Sequence, residues 1–225
     1  MAGTANNNLV GVIAGTPVDT EFGRRFLAER GWRTLEYAAA QTPEEQDFLQ
    51  RRHPQALIAS CERAMQDMVA QGAGLIVVYC GSLSTVLPLG SLARDLQTKI
   101  VSPLDFYRAI STEYQKFALL AANAVGLRGA GQAIRRHNPG ASLHGLHDLD
   151  LVVRIEKGLS PEKALTNDVY TFLREAEAHC DVLVLACTHF PYLTATLRAK
   201  TALPVRDVNG WLWSVVVDGK TRSVA

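Results

Sequence analysis

Two stretches of the chain follow the same plan and decide its fold. Residues 74–85 read GLIVVYCGSLST, and residues 181–192 read DVLVLACTHFPY. Each is an apolar run, then a cysteine, then a turn with hydroxyl-bearing side chains, then the start of a helix. Such apolar runs are typical of parallel strands that are covered on both faces. Cys80 and Cys187 are 107 residues apart, about half of the chain, so the repeat indicates two similar halves.

Strands and helices alternate along the rest of the sequence. We predict strands at 9–14, 75–79, 100–101, 117–122 and 182–186, and helices over 54–71, 104–115 and 161–179. Glycine-rich segments at 126–131 and 138–140 predict turns. The alternation predicts an α/β fold with two pseudo-symmetric lobes, each a mainly parallel sheet flanked by helices. Because open α/β sheets bind ligands at the carboxyl ends of their strands, we expect the active site in the cleft between the lobes.

The predicted lobes divide near the middle of the chain. The first comprises residues 1–102 and the second residues 103–206, and the tail 207–225 is expected to return to the first lobe. This tail contains Trp211 and Trp213. Its apolar and polar residues alternate only partly, which favours an extended segment or a hairpin.

Composition narrows the class of protein. Hydrophobic residues make up 48% of the 225 residues, which suits a globular protein with a sizeable core. Lys and Arg total 23 against 22 for Asp and Glu, so no excess positive charge favours a nucleic-acid partner. No apolar run is long enough to span a membrane and the first residues do not resemble a signal peptide, so we expect a cytoplasmic protein. Four cysteines are too few for a disulfide framework.

The four cysteines differ in their sequence surroundings. Cys61 lies on the apolar stripe of a predicted helix and Cys180 at the junction of a helix and a strand, so we expect both to be buried and inert. Cys80 and Cys187 each follow a buried strand directly. A helix start after each of them would favour the thiolate, and His189 could hydrogen-bond a thiolate or a substrate carboxylate.

On the residues alone, several chemistries remain open for Cys80 and Cys187. An acid–base pair would use both thiols. A metal site could use His179, Cys180, Cys187 and His189, although their spacing is not that of a structural zinc site, and no metal is expected. A lone cysteine nucleophile with a histidine base would leave Cys80 without a role. A redox pair would require the two thiols to meet in space, since no Cys-x-x-Cys motif occurs.

The segment LVLACTHFPYL (183–193) resembles the second-cysteine motif of the aspartate/glutamate racemase superfamily, in which Cys-Thr-His follows an apolar strand. Four other segments are similar to parts of that family, in the same order along the chain. IVVYCGSLST (76–85) resembles the first-cysteine motif, and VGVIAGTPVDT (10–20) resembles the first strand and its substrate-binding loop. KIVSPLDFYRAI (99–110) resembles the connection into the second lobe, and LDLVVRIEKG (149–158) the segment with a glutamate near the site. The likeness spans roughly residues 9 to 208.

The resemblance implies a cofactor-independent racemase or epimerase of a small amino acid such as aspartate or glutamate. Of the two catalytic residues that it implies, Cys80 and Cys187, one as thiolate removes the α-proton. The other, as thiol, delivers a proton to the opposite face. The implied substrate-binding residues are Thr16, Pro17, Ser82, Asn123, Glu156, Thr188 and His189. We expect a homodimer with a small amino-acid or carboxylate substrate, and neither a nucleic-acid nor a membrane partner.

Two features depart from the family pattern. Gly81 stands where the family usually has Asn after the first cysteine, which removes a side chain that commonly contacts the substrate. The tail after Asn209 does not resemble the helix with which family members usually complete the first lobe. The alternatives are therefore a related isomerase or decarboxylase acting on another small carboxylate or a hydantoin, and a catalytically impaired ligand-binding protein of the same fold.

Overall fold

The computed structural model describes residues 8–212 of the chain. Its residues form two compact units that divide between Ser102 and Pro103. Each unit contains a four-stranded sheet in which every strand pairing is parallel, flanked by helices. In this part of the chain no helix has the length and apolar character needed to cross a membrane. The predicted α/β class, with two similar parallel-sheet lobes, is confirmed.

The first unit has the strand order β2-β1-β3-β4. Its strands are β1 (Leu9–Ala14), β2 (Arg33–Ala38), β3 (Leu75–Tyr79) and β4 (Lys99–Val101). Its helices are α1 (Pro17–Ala28), α2 (Pro43–Arg52), α3 (Pro54–Ala70), α4 (Gly81–Val86) and α5 (Leu89–Asp95). The central strands β1 and β3 are buried along almost their whole length, whereas the edge strand β2 is half-exposed.

The second unit has the corresponding order β6-β5-β7-β8. Its strands are β5 (Lys116–Ala121), β6 (Ser142–His147), β7 (Val182–Leu185) and β8 (Val205–Asp207). Its helices are α6 (Pro103–Ile110), α7 (Ala124–His137), α8 (Leu149–Glu156), α9 (Pro161–Ala164), α10 (Asn167–His179) and α11 (Thr194–Arg198), with a 3-10 turn at Phe190–Leu193 before α11.

A constant separation relates the two units. The first residues of β1 and β5, Leu9 and Lys116, are 107 residues apart, and so are those of β3 and β7, Leu75 and Val182. The same separation joins Cys80 to Cys187. The two central strands and the cysteine thus recur at the same spacing in each unit, so each cysteine lies at the equivalent end of its own sheet.

Helix α3 shows how the core of the first unit forms. Its apolar positions recur every three or four residues, so one face of the helix is apolar. Leu57, Cys61, Met65 and Met68 from this face are buried against the sheet in one hydrophobic cluster. Burying one such side chain fully contributes roughly 1.5–3 kcal/mol. This packing confirms the helix predicted over 54–71.

The turn predicted at 126–131 is wrong, because these residues lie inside α7. Three glycines of this helix, Gly126, Gly129 and Gly131, are buried. A Cβ on Gly131 would lie only 3.1 Å from Leu143 Cδ1 on β6. Glycine therefore lets α7 approach its sheet closely, and this packing outweighs the low helix propensity of glycine. The turn predicted at 138–140 is present.

The structure also differs from the sequence prediction at two edge strands and at one long helix. Strands β2 and β6 were not predicted, because both are half-exposed edge strands of mixed polarity and neither contains a continuous apolar run. The helix predicted over 161–179 is divided into α9 and α10. The break comes at Thr166, whose Oγ1 accepts a hydrogen bond from the Val169 N–H at 3.2 Å and so caps α10.

The start of the tail is helical, not extended. Residues 208–212 form a helix, and Asp207 Oδ1 accepts hydrogen bonds from the N–H groups of Asn209 and Gly210, at 3.0 and 3.3 Å. The Trp211 ring lies 6.2 Å from that of Phe106 in the second unit. Residues 213–225, with Trp213, lie outside the described part of the chain, so the predicted return of the tail to the first lobe stays a prediction for them.

Candidate active site

Cys80 is the residue at which β3 gives way to α4. Its backbone is extended, and its carbonyl accepts hydrogen bonds from Ser84 N–H at 3.0 Å and from Ser84 Oγ at 2.6 Å. Cys80 is therefore the N-cap residue of a short helix. It is 5% exposed, so its thiol is shielded from bulk water. The predicted position at the end of a buried strand is observed.

Polar side chains surround the Cys80 sulfur. Gln46 Nε2 lies 3.0 Å from Cys80 Sγ and 3.3 Å from Ser82 Oγ. Gln50 Nε2 donates to Ser82 Oγ at 2.9 Å, and Ser82 Oγ lies 3.5 Å from Cys80 Sγ. All four side chains are buried. We call Gln46, Gln50, Cys80 and Ser82 the Cys80 cluster.

Thr16 and Pro17 lie where β1 leads into α1. Thr16 is fully buried and N-caps α1, because its Oγ1 accepts a hydrogen bond from the Asp19 N–H at 3.2 Å. Pro17 is the exposed first residue of that helix. Since the register of β1 and β3 pairs Ala14 with Tyr79, this loop and Cys80 emerge at the same edge of the sheet.

Cys187 occupies the equivalent place in the second unit, just after β7. The preceding Ala186 N–H still donates to Leu120 O of β5 at 2.7 Å, and Cys187 O accepts from Phe190 N–H at 3.1 Å. Cys187 is 7% exposed, and the adjacent Thr188 is also buried. The cysteine is thus held between the end of the ladder and the 3-10 turn that follows.

His189 links Cys187 to Glu156. His189 Nδ1 lies 3.6 Å from Cys187 Sγ, and His189 Nε2 lies 2.8 Å from Glu156 Oε1. The histidine and glutamate side chains are 4% and 12% exposed. A carboxylate only accepts hydrogen bonds, so it holds the proton on Nε2 and turns Nδ1 toward the thiol. We call Glu156, Cys187 and His189 the Cys187 cluster.

Asn123 corresponds to Thr16 in the second unit, again 107 residues later. It N-caps α7, with Oδ1 accepting from Gly126 N–H at 2.9 Å. Asp181, near the opposite end of the sheet, accepts hydrogen bonds from the N–H groups of Gln115 and Lys116, at 3.2 and 2.8 Å.

The predicted site residues are divided between the two units. Thr16 and Ser82 lie in the first unit, at the edge of the sheet where Cys80 lies. Asn123, Glu156, Thr188 and His189 belong to the second unit.

The remaining cysteines, Cys61 and Cys180, are members of neither cluster. Cys61 is fully buried, as predicted, and burial raises the pKa of its thiol to about 12. Cys180 was expected to be buried but is half-exposed. Its partial burial raises the pKa of its thiol, and the negative charge of Asp181 raises it to a lesser extent. Among residues 8–212 no group of three or more His, Cys, Asp or Glu side chains could hold a metal ion.

Gln46 and Gln50 are the site residues that sequence reasoning did not identify. They lie four residues apart on one face of α2. The internal repeat contains a signal for one of them, because Gln50 is the eighth residue of α2 and Glu156 is the eighth residue of α8. Each of these contacts the residue two positions after a cysteine, Ser82 or His189.

Comparison with known proteins finds curated sequence relatives. A glutamate racemase of Shewanella woodyi is 31% identical over 145 residues, which covers 62% of this chain and 54% of the relative. The chain thus spans about half the length of the curated relatives that it matches. No protein-family model matches the chain.

Solved structures share the fold. A glutamate racemase from Francisella tularensis, solved in complex with D-glutamate, superposes with a TM-score of 0.69 at 13% identity, over 98% of this chain and 85% of that one. An aspartate racemase homologue from Pyrococcus horikoshii superposes with a TM-score of 0.67 at 17% identity, over 96% and 100% of the two chains. At these identities the structural likeness shows the fold.

Proposed function

We propose that this chain is a cofactor-independent amino-acid racemase or epimerase of the aspartate/glutamate racemase superfamily, a proposal that its sequence relatives and its fold support. The observation that carries the proposal is the repeat of one cysteine per parallel sheet. Cys80 follows β3 and Cys187 follows β7, in two sheets of the same strand order. Each sulfur is buried and has a polar partner.

Two thiols match the chemical requirement of inversion. The thiolate of one cysteine takes the α-proton, so the C–H electron pair stays on the α-carbon and the sulfur becomes a thiol. The other cysteine donates its S–H proton to the opposite face of that carbon and becomes a thiolate. The next turnover in the reverse direction exchanges the two roles. In this proposal Cys80 and Cys187 approach opposite faces of the substrate.

The carbanion formed in this step needs hydrogen-bond donors near the substrate carboxylate. Hydroxyl donors proposed for it are Thr16, Ser82 and Thr188, and an amide donor is Asn123. Pro17 would shape the loop beside Thr16. Thr16 and Asn123 cap helices through their acceptor oxygens, and each side chain also contains a hydrogen-bond donor.

The His189–Glu156 pair supports an acid–base role for Cys187. With the carboxylate on Nε2, the imidazole can accept the thiol proton on Nδ1 and return it. The substrate is proposed to be aspartate or glutamate, in keeping with the names of the relatives and with the D-glutamate bound to one structural neighbour. Gly81 adds no side chain beside Cys80, so substrate selection would rest on other residues.

The experiment that tests this function follows the α-proton directly. Unlabelled L- and D-amino acids, including both enantiomers of aspartate and glutamate, are incubated with the protein in deuterated water. Loss of the α-proton signal by NMR and inversion by chiral chromatography are expected for at least one of them. Cys80→Ser and Cys187→Ser should each lower inversion by at least about 10³-fold, because the less acidic hydroxyl replaces the thiol.

Cys180→Ser is the matched control, because Cys180 is half-exposed and precedes β7, whereas Cys187 follows the other end of that strand. Its inversion rate should stay near that of the wild-type protein. Absence of exchange with every amino acid would contradict the function and favour a ligand-binding protein. Full inversion by one of the two variants would contradict the two-base assignment. The expected homodimer and cytoplasmic location remain predictions from the sequence.

A further inference from the structure

Gln46 takes no step in the reaction proposed above, yet its amide lies against the Cys80 sulfur. Nε2 and Sγ are 3.0 Å apart, and Gln46 is 7% exposed. A buried amide is costly unless it is hydrogen-bonded. We propose that Gln46 is a positioning residue that fixes the Cys80 sulfur and favours its thiolate form. This inference rests on the proposed function in one respect, because it prepares Cys80 to act as a base.

The hydrogen bonds around Ser82 indicate that its hydroxyl donates to the Cys80 sulfur. Ser82 Oγ lies 2.9 Å from Gln50 Nε2 and 3.3 Å from Gln46 Nε2, and an amide nitrogen only donates. Since its oxygen accepts these bonds, the Ser82 hydroxyl can donate its own proton to Cys80 Sγ, 3.5 Å away, when no substrate is bound. An N–H and an O–H donor therefore converge on the sulfur. Hydrogen bonds to the charged form of an acid favour that form.

Gly15 makes room for the Gln46 amide. A Cβ at position 15 would overlap the Gln46 side-chain oxygen and would lie 2.6 Å from both Cδ and Nε2. Contacts this short do not occur between real atoms of these types, so the amide would have to move. The end of β1 and the side chain from α2 thus fit together only because residue 15 lacks a side chain.

The ionisable groups near the Cys80 cluster are the same in the wild-type protein and in a Gln46 variant. Asp19 Oδ2 accepts from the Gly15 N–H at 3.3 Å, and Glu45 Oε2 accepts from the Gln41 N–H at 2.7 Å. Tyr79 precedes Cys80, and Cys61 belongs to the same core. None of these groups is changed in a Gln46 variant, so a change in the titration of Cys80 would report on the amide.

The test measures the reactivity of Cys80 in the full chain. Wild type, Gln46→Met and Gln46→Glu are alkylated with iodoacetamide between pH 5 and 10, and the Cys80 peptide is quantified by mass spectrometry. Methionine keeps the length of the side chain but donates no hydrogen bond. We expect Gln46→Met to raise the pH midpoint of Cys80 alkylation by about one unit, and to lower the rate at pH 7 about tenfold. Gln46→Glu should raise the midpoint further, because a carboxylate repels the thiolate.

Gln55→Met, at an exposed position of α3, is the matched control and should leave the midpoint unchanged. In a racemisation assay, Gln46→Met should lower kcat about tenfold and change KM less than about twofold. A folded Gln46→Met protein with the wild-type midpoint would overturn the inference. If Gln46→Met does not fold, Gly15→Ala provides the test, because it displaces the amide and should raise the midpoint similarly. A raised midpoint in a protein that racemises no amino acid would support the inference and contradict the proposed function.

Discussion

At the scale of single residues, the two cysteines have chemically different neighbours. Cys80 contacts the neutral donors Gln46 and Ser82, whereas Cys187 contacts a histidine that is itself bonded to Glu156. A neutral donor stabilises a thiolate without exchanging protons, whereas an imidazole can also take up the thiol proton. The two cysteines of the proposed acid–base pair thus differ in the groups that stabilise their thiolate forms.

Cys61 provides a residue-scale prediction for stability at alkaline pH. Burial raises the pKa of this thiol from 9.0 to about 12, so the folded state favours its protonated form. That contribution is complete below pH 9 and is lost as the pH rises toward 12, at about 1 kcal/mol per pH unit. Cys61→Ala, which lacks the titrating thiol, should therefore be less stable than wild type at pH 7 but lose stability less steeply above pH 9. Urea denaturation at pH 7, 8, 9.5 and 10.5 checks this, and a constant difference across the four would contradict it.

At the scale of elements, close packing of helices on the two sheets depends on glycine residues in the strands. The register of β1 and β3 pairs Gly11 with Ile76, and α3 covers the same place with Met68. A Cβ on Gly11 would lie 2.5 Å from Ile76 Cδ1 and 2.7 Å from Met68 Sδ. In the second unit, Gly145 of β6 faces Leu127 of α7 in a similar way, with Cδ1 at 2.8 Å from such a Cβ.

Gly11→Ala should therefore destabilise the protein by about 1–3 kcal/mol, because both side chains must leave their packed positions. Gly74→Ala is the matched control, since a Cβ there meets no atom within 4 Å and the backbone is not in the left-handed region. It should change stability by less than about 0.5 kcal/mol. Chemical denaturation at pH 7 measures both variants. Equal stabilities for the two alanine variants would show that the core accommodates the methyl group.

At the scale of the whole molecule, the repeat supplies one thiol from each compact unit. The separation of 107 residues holds for the cysteines, for β1 and β5, and for the cap residues Thr16 and Asn123. A single sheet with one cysteine could act on one face of a carbon only. In the proposed two-base reaction, each unit supplies one of the two thiols.

Deuterium incorporation at the α-carbon tests whether the two thiols act on opposite faces of the substrate. In deuterated water the thiols exchange to S–D, so the product of a two-base reaction acquires α-deuterium from the second cysteine. During the first few per cent of conversion, the remaining substrate should keep its α-protium and the product should carry deuterium, from either enantiomer. Mass spectrometry after chiral separation measures both pools. Product that retains the substrate's own proton would indicate a single base and contradict the two-thiol mechanism.

The sequence by itself determined the parallel α/β class, the two-lobed repeat and the positions of Cys80 and Cys187, because buried central strands consist of continuous apolar runs that are visible without coordinates. Edge strands β2 and β6, the buried glycines of α7 and the helical residues 208–212 required the tertiary structure. Their local signals are weak, and packing against a sheet or a capping carboxylate decides them. Gln46 was found only in the fold, because a glutamine on a polar helix gives no sign that a sulfur 34 residues later lies 3.0 Å from its amide.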